Sequence, residues 1–148
     1  MDTVTSFGQQ GRKAAFLSTD FSNAAAMLGR IEFDPDRKAF FVFVKRSAGT
    51  ISAKLVAVSA GTAKSAFTVA LAAATDGLLT FAGVRVTGAT DLDATNEYGA
   101  LQVSGPATFL HGGGAATVAD DGIITSASVA GKVEGVAAAP GAVFALKD

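Results

Sequence analysis

A single histidine, His111, stands beside Gly112, Gly113 and Gly114, and the chain has no cysteine. Imidazole is the side chain best suited to moving protons near neutral pH. Catalysis or metal binding asks for a partner: a nucleophile, an orienting carboxylate or further ligands. No second His and no Cys can supply one, so His111 is read as an exposed loop residue. The glycines after it do not form a phosphate cradle, because no Lys-Ser/Thr follows and a G-x-G-x-x-G spacing is absent. Ser59 and Ser104 lie in no G-x-S-x-G elbow, and one histidine leaves little room for a triad.

Oxygen ligands cluster in Thr90-Asp91-Leu92-Asp93-Ala94-Thr95-Asn96-Glu97. Asp91, Asp93, Asn96 and Glu97 are of the right type for Ca²⁺. The spacing departs from the EF-hand loop, since Thr95 and Asn96 stand where a third ligand and an obligatory Gly belong. The departure favours an acidic surface loop satisfied by its own backbone. Carboxylates for glycoside hydrolysis cannot be paired from sequence, and the usual sugar platforms are scarce: Trp is absent and Tyr98 is the only Tyr. The chain reads as a non-enzyme, with no catalytic residue, cofactor or metal to assign.

The elements that would position these residues are strands. From Tyr98 to Ser104 the side chains divide with period two: Tyr98, Ala100, Gln102 and Ser104 on one side, Leu101 and Val103 on the other. Gly105-Pro106 interrupts the ladder, because Gly is permissive in φ and Pro has no N–H. Ala107 to Leu110 resumes the extended run. The rest of the chain is expected to pair around this stretch.

Arg30 to Arg46 predicts a β-hairpin. Its turn is Asp34-Pro35-Asp36-Arg37, and the apolar run Ala39 to Val44 calls for cover on both faces. Further strands are expected at Ile51 to Val58 and Leu78 to Val86, and at Ala66 to Ala74, where Ala and Leu favour helix but Phe67, Thr68, Val69 and the neighbouring strands favour strand. Short ones follow at Ala115 to Val118, Ile123 to Ser126, Lys132 to Val136 and Ala142 to Leu146. A faint repeat relates Asp76-Gly77-Leu78-Leu79-Thr80 to Asp121-Gly122-Ile123-Ile124-Thr125. Many short strands with frequent turn residues predict an all-β fold, a small β-barrel or β-sandwich.

Residues 1–29 are different. Phe7, Phe16 and Phe21 are scattered among polar residues without a period, and Ser22 to Leu28 suits one or two helical turns capped by Ser22 and stopped by Gly29. Large aromatics in such a segment need burial somewhere, either over the β-body as a lid or on another molecule as an arm. The domain division is thus 1–29, an N-terminal arm or lid, and 30–148, the β-rich body.

At 148 residues the chain is long enough for one domain with a core. Much of the 49% hydrophobic content is Ala, and 17 Gly add to the small side chains, so an isolated monomer has a thin core, which hints at oligomerisation or a partner surface. No long apolar run resembles a membrane span, and the N-terminus lacks the order of a secretion signal. Residues 1–64 hold 9 Lys/Arg and 5 Asp/Glu, whereas residues 65–148 hold 3 and 8. Such polarity can orient a protein on a charged partner. No dense basic stripe points to nucleic acid.

Four stretches taken together carry a resemblance: Gly29-Arg30-Ile31-Glu32-Phe33 with Ala39 to Arg46; Phe81-Ala82-Gly83-Val84-Arg85-Val86; Tyr98 through Ser104, Gly105 and Pro106 to Thr108; and Val129 to Val136. In this order they resemble the capsid decoration (cement) proteins of tailed bacteriophages, over roughly residues 29–148. The resemblance implies a β-rich virion protein on the outer capsid surface. It would be a homotrimer that clamps neighbouring major capsid proteins, with no nucleic acid or membrane partner. The segment holding Phe7, Arg12, Lys13, Phe16 and Phe21 becomes the candidate capsid contact. Alternatives are another phage structural β-module, such as a tail or head fibre or host-binding domain, and a ligand-binding β-barrel.

Overall fold

The computed structural model describes residues 17–21, 23–61, 67–73, 81–110, 123–125 and 129–135. Among these residues lie a short helix, α1 (Ala24–Met27), and the strands β1 (Ile31–Asp34), β2 (Ala39–Ala48), β3 (Val56–Ser59), β4 (Thr68–Leu71), β5 (Phe81–Val84), β6 (Tyr98–Ser104), β7 (Ile123–Thr125) and β8 (Val133–Gly135). Strands β2, β4, β3, β5 and β6 close into a five-stranded barrel, with β1 added outside on β2. Strands β7 and β8 form a separate antiparallel pair.

β2 organises the barrel. It is ten residues long, and β-branched and aromatic residues fill its first half. One edge pairs with β6 from Phe40 to Lys45. The other edge is shared: β1 pairs antiparallel with Ala39 to Val42, and β4 pairs parallel from Lys45 onward. The sequence points instead to β6 as the hub. β6 takes only β2 and β5 as partners. Strand length decides this, since only β2 is long enough to serve two neighbours in succession along one edge.

A barrel this narrow needs sharp bends, and three register shifts supply them. They fall between Phe40 and Phe41, between Arg46 and Ala48, and between Ala57 and Val58. A bulge adds one residue to one strand and increases the local twist. Gly83 lies on β5 opposite the last of these, with φ +148, where an added Cβ would sit 2.7 Å from the Gln102 carbonyl oxygen. Only a glycine lets β5 and β6 approach this closely.

Three apolar clusters hold the molecule together. The first, inside the barrel, draws on every barrel strand: Val42 and Val44 from β2, Ala57 from β3, Val69 and Leu71 from β4, Ala82 from β5 and Leu101 from β6, closed by Ile51 and Leu92. The second, on the outer face of β2 and β6, contains Phe41, Phe43 and Ala100, covered by Leu17, Phe21, Ala24, Met27 and Leu28. The third joins Val56 and Val58 to Ala72, Phe81, Phe109 and Val133. The double cover expected of the apolar run holds except at Phe40: Ala39, Phe41 and Phe43 face the second cluster and Val42 and Val44 the first, while Phe40 is exposed.

Several local expectations shift. The helix cap position is Asn23, without a side-chain capping bond. The strand expected from Ile51 begins at Val56; Ile51 makes a lone bridge to Leu92, and Lys54 turns the chain at φ +69. Backbone bonds from Lys54 N to Arg85 O and from Leu110 N to Lys54 O hold that turn. Residues 107–110 carry no strand ladder, although Val133 N donates to Leu110 O. The strands expected at 115–118 and 142–146, and the first copy of the repeat at 76–80, lie outside the described residues.

Candidate interaction surface

The side chains able to do chemistry are placed by the turns between strands, and three buried ones serve the backbone. Arg85 follows β5 directly and is fully buried. Its Nη1 donates to Ala100 O at 2.7 Å, its Nη2 to Thr90 O at 2.7 Å and Leu17 O at 3.3 Å, and its Nε to Thr90 O at 3.0 Å. One guanidinium thus ties together β6, the loop after β5 and the segment before α1. Burial lowers its pKa to about 10, against a raising effect of the Asp91 charge, so it stays a cation at neutral pH.

Gln102, on β6, turns its amide Nε2 into the following bend. It donates to Pro106 O at 2.7 Å, Gly105 O at 3.2 Å and Ser104 O at 3.3 Å. Asp34, at the end of β1, is also fully buried. Its Oδ1 accepts from the N–H groups of Asp36 and Arg37, and its Oδ2 accepts from Arg37 Nη1 at 2.8 Å. Burial opposes its charge, but the Arg37 side chain, the two N–H groups and the Arg37 charge outweigh it and hold the carboxyl below 3.8. Pro35 presets the turn and Asp34 supplies the acceptor, as the turn chemistry of the sequence requires.

The acidic loop folds on its own backbone. Asp93 Oδ1 accepts from Thr95 N and Asn96 N, both at 2.8 Å. These two bonds depress its pKa, aided by Arg46 and opposed by desolvation. Arg46 Nε donates to Asp93 O at 2.8 Å, and Glu97 lies 3.5 Å from Lys45 Nζ and 4.0 Å from Arg46 Nη2. Asp93 and Glu97 are thus engaged by backbone N–H groups or cations rather than converging on one point.

A half-open cleft of about 200 Å³ lies between β5, β6 and residues 106–108, lined by Arg37, Val86, Thr87, Gln102 and Thr108. Its largest polar side chains are already committed: Arg37 to Asp34, Gln102 Nε2 to the bend, and Arg85, also in the lining, to backbone carbonyls. A small-molecule site needs polar groups converging on the ligand. The barrel interior is filled with aliphatic side chains, which weighs against a ligand-binding barrel.

The surface feature that remains is apolar. Ile31 is 62% exposed, and Phe33 and Phe40 are each 45% exposed. Ile31 stands opposite Val42, and Phe33 opposite Phe40, in the β1–β2 ladder. Residues directly opposite in an antiparallel pair share a face. These side chains therefore continue the face that Val42 turns into the barrel, beyond the point where β4 covers it. The rings of Phe33 and Phe40 lie 4.9 Å apart. Val103, exposed on β6, sits at the neighbouring bulge.

Of the residues singled out in the sequence as a contact segment, Phe7, Arg12, Lys13 and Phe16 lie outside the described residues, as does His111 with its glycines. Phe21 is half-buried and meets Phe43 edge-on, with ring centroids 4.7 Å apart, so much of its ring serves the barrel itself. Ser59 is on β3 and Ser104 ends β6. Sequence reasoning missed Arg85 and the Phe33–Phe40 pair. A lone cation inside the apolar run Val84-Arg85-Val86 was the available signal for the first. For the second, the unbroken apolar run from Ala39 concealed that one of its members faces out.

The chain matches no protein-family model, no curated protein and no solved structure.

Proposed function

We propose that this protein is a structural virion protein that binds the outer surface of a tailed-phage capsid and clamps adjacent major capsid proteins, acting as a self-associated assembly, a homotrimer. The observation that carries this reading is the contrast between a barrel whose buried Arg85, Gln102 and Asp34 all serve its own backbone and a surface that displays an aromatic and aliphatic stripe. Such a body is stiff and adhesive without needing a reaction. Modest contacts, repeated over several subunits, add through effective concentration.

In this reading the capsid contact is the segment of Phe7, Arg12, Lys13 and Phe16. The test replaces these four with Ser in the full chain and measures occupancy on undecorated capsids by co-sedimentation. A deletion running to residue 21 would be a poorer test, because it removes the Leu17 carbonyl bonded to Arg85 and the Phe21 ring packed on Phe43. Loss of occupancy with an unchanged unfolding midpoint is the expected result. Unchanged occupancy would remove this segment from the interface, and no binding by the natural chain would remove the capsid role.

A further inference from the structure

We propose that the barrel opens at the seam between β2 and β4, and that two side chains laid on glycines, Phe67 on Gly29 and Leu71 on Gly49, are the clasps that keep it shut. This is a device of the fold itself and does not rest on the capsid reading.

Two seams of the barrel carry few backbone pairs. β2 and β6 are matched over six registered pairs. β2 and β4 share three, interrupted by the shift between Arg46 and Ala48, and β5 and β6 share one. The two thin seams are closed by different chemistry. Across β5 and β6 the buried Arg85 cation reaches the Ala100 carbonyl, and Gly83 lets the two backbones touch. A charge-assisted bond kept from water is strong. Across β2 and β4 the side-chain bond is a neutral one at the surface, from the exposed Ser47 hydroxyl to Val69 O at 3.1 Å.

Apolar contacts close the ends of that second seam. A Cβ added to Gly29 would run into the Phe67 ring, and one added to Gly49 would meet Leu71 Cβ at 2.6 Å. Both glycines have positive φ, +78 and +66. Phe67 O accepts from Lys45 N at 3.0 Å, and Gly29 N donates to Phe43 O at 2.8 Å. Ring and glycine therefore occupy neighbouring places along one edge of β2, where β1 gives way to β4. Phe67 is exposed and has φ +48, a region that bulky side chains avoid. Strain of this kind persists only where the surroundings hold it, so the clasp is under tension in the closed barrel.

A structure opens first where backbone pairs are few and their bonds lie near water. The β2–β4 seam meets both conditions, and the β5–β6 seam is spared by its buried cation. Opening bares Val44, Val69 and Leu71 of the interior and leaves two sheet edges with unpaired backbone groups.

Lys45 and Arg46 make the test. They are neighbours on β2, but the Lys45 N–H crosses the seam to Phe67 O, whereas the Arg46 N–H donates the other way, to Glu97 O at 2.7 Å. Residue-resolved amide hydrogen exchange on the full chain should find Lys45 at least about tenfold less protected than Arg46. Phe67→Ala removes one clasp and should widen that ratio at least about threefold further. Ala48→Cys with Ala70→Cys places a disulfide between registered partners across the seam, in a chain with no other cysteine. Oxidised, it should raise the protection of Lys45 to that of Arg46; reduced, the difference should return. Equal protection of the two amides in the natural chain would overturn the proposal without any variant. So would an unchanged ratio in Phe67→Ala, or a cross-link that leaves Lys45 exchanging as before.

Discussion

The Nη1 atom of Arg85 lies 2.7 Å from the carbonyl oxygen of Ala100, with the whole side chain out of contact with water. The bond crosses from the end of β5 to the middle of β6. The same guanidinium holds Thr90 and Leu17, so one side chain ties β5 to β6, fixes a loop and ties down the segment before α1.

Removing this cation takes donors from the carbonyls of Ala100, Thr90 and Leu17, of which Leu17 O keeps the Thr90 N–H, and vacates the buried space of the side chain. A buried carbonyl left without a donor costs about 1–3 kcal/mol, and the vacated space adds to it. Arg85→Ala should therefore destabilise the fold by about 3 kcal/mol or more, read as a lowered urea midpoint. Arg85→Lys should recover only part, because a single ammonium cannot reach the three carbonyls that a planar fork spans. Full stability in Arg85→Ala would mean that the bonds are incidental.

Acid should weaken the protein through Asp34. Its carboxyl is held below 3.8 in the folded state, so the folded chain binds this proton less readily than the unfolded chain. The stabilisation is fully present above the ordinary value of 3.8 and is lost as pH falls through the lower folded value. Asp93 is shifted the same way and adds to the same acid limb. Asp34→Asn should be less stable than the natural chain at pH 7, with the gap narrowing as pH falls below 3.8. Urea midpoints over a falling pH series check this; a constant gap would show that the charge of Asp34 is not what matters.

Two glycines of positive φ should respond unequally to alanine. At Gly83 the new Cβ would meet the Gln102 carbonyl at 2.7 Å and Leu101 Cβ at 2.9 Å. At Gly61, φ is +84 but nothing lies within 4 Å. Gly61→Ala should cost about 1 kcal/mol, the backbone penalty alone. Gly83→Ala should cost about 3 kcal/mol, since β5 and β6 must also part. Equal losses would mean that the strand contact yields freely.

Two phenylalanines of β2 should separate in the same way. Phe43 is fully buried against Phe21 and Tyr98. Phe43→Ala should cost about 3–5 kcal/mol by opening a cavity. Phe40→Ser, on the exposed stripe, should shift monomer stability by well under about 1.5 kcal/mol. Thermal unfolding at low protein concentration isolates this comparison from association.

The elements were legible in the sequence where local chemistry decides them. Alternation marked β6, Pro35 and Asp34 marked the hairpin turn, and Gly29 marked the end of α1. The acidic loop was legible for the same reason, because the Asp93 carboxylate accepts from N–H groups two and three residues away. All-β character followed from the same short-range signals. Tertiary structure alone decided which strand is the hub, that the sheet closes through β2 and β6, and that β2 lies parallel to β4. Those outcomes depend on pairings between residues far apart in the chain, and period-two alternation is blind to which partner a strand takes. The same holds for the surface. Phe40 and Phe41 are identical neighbours in the sequence, yet one is 45% exposed and the other is fully buried, because the cover that separates them comes from elements elsewhere in the chain.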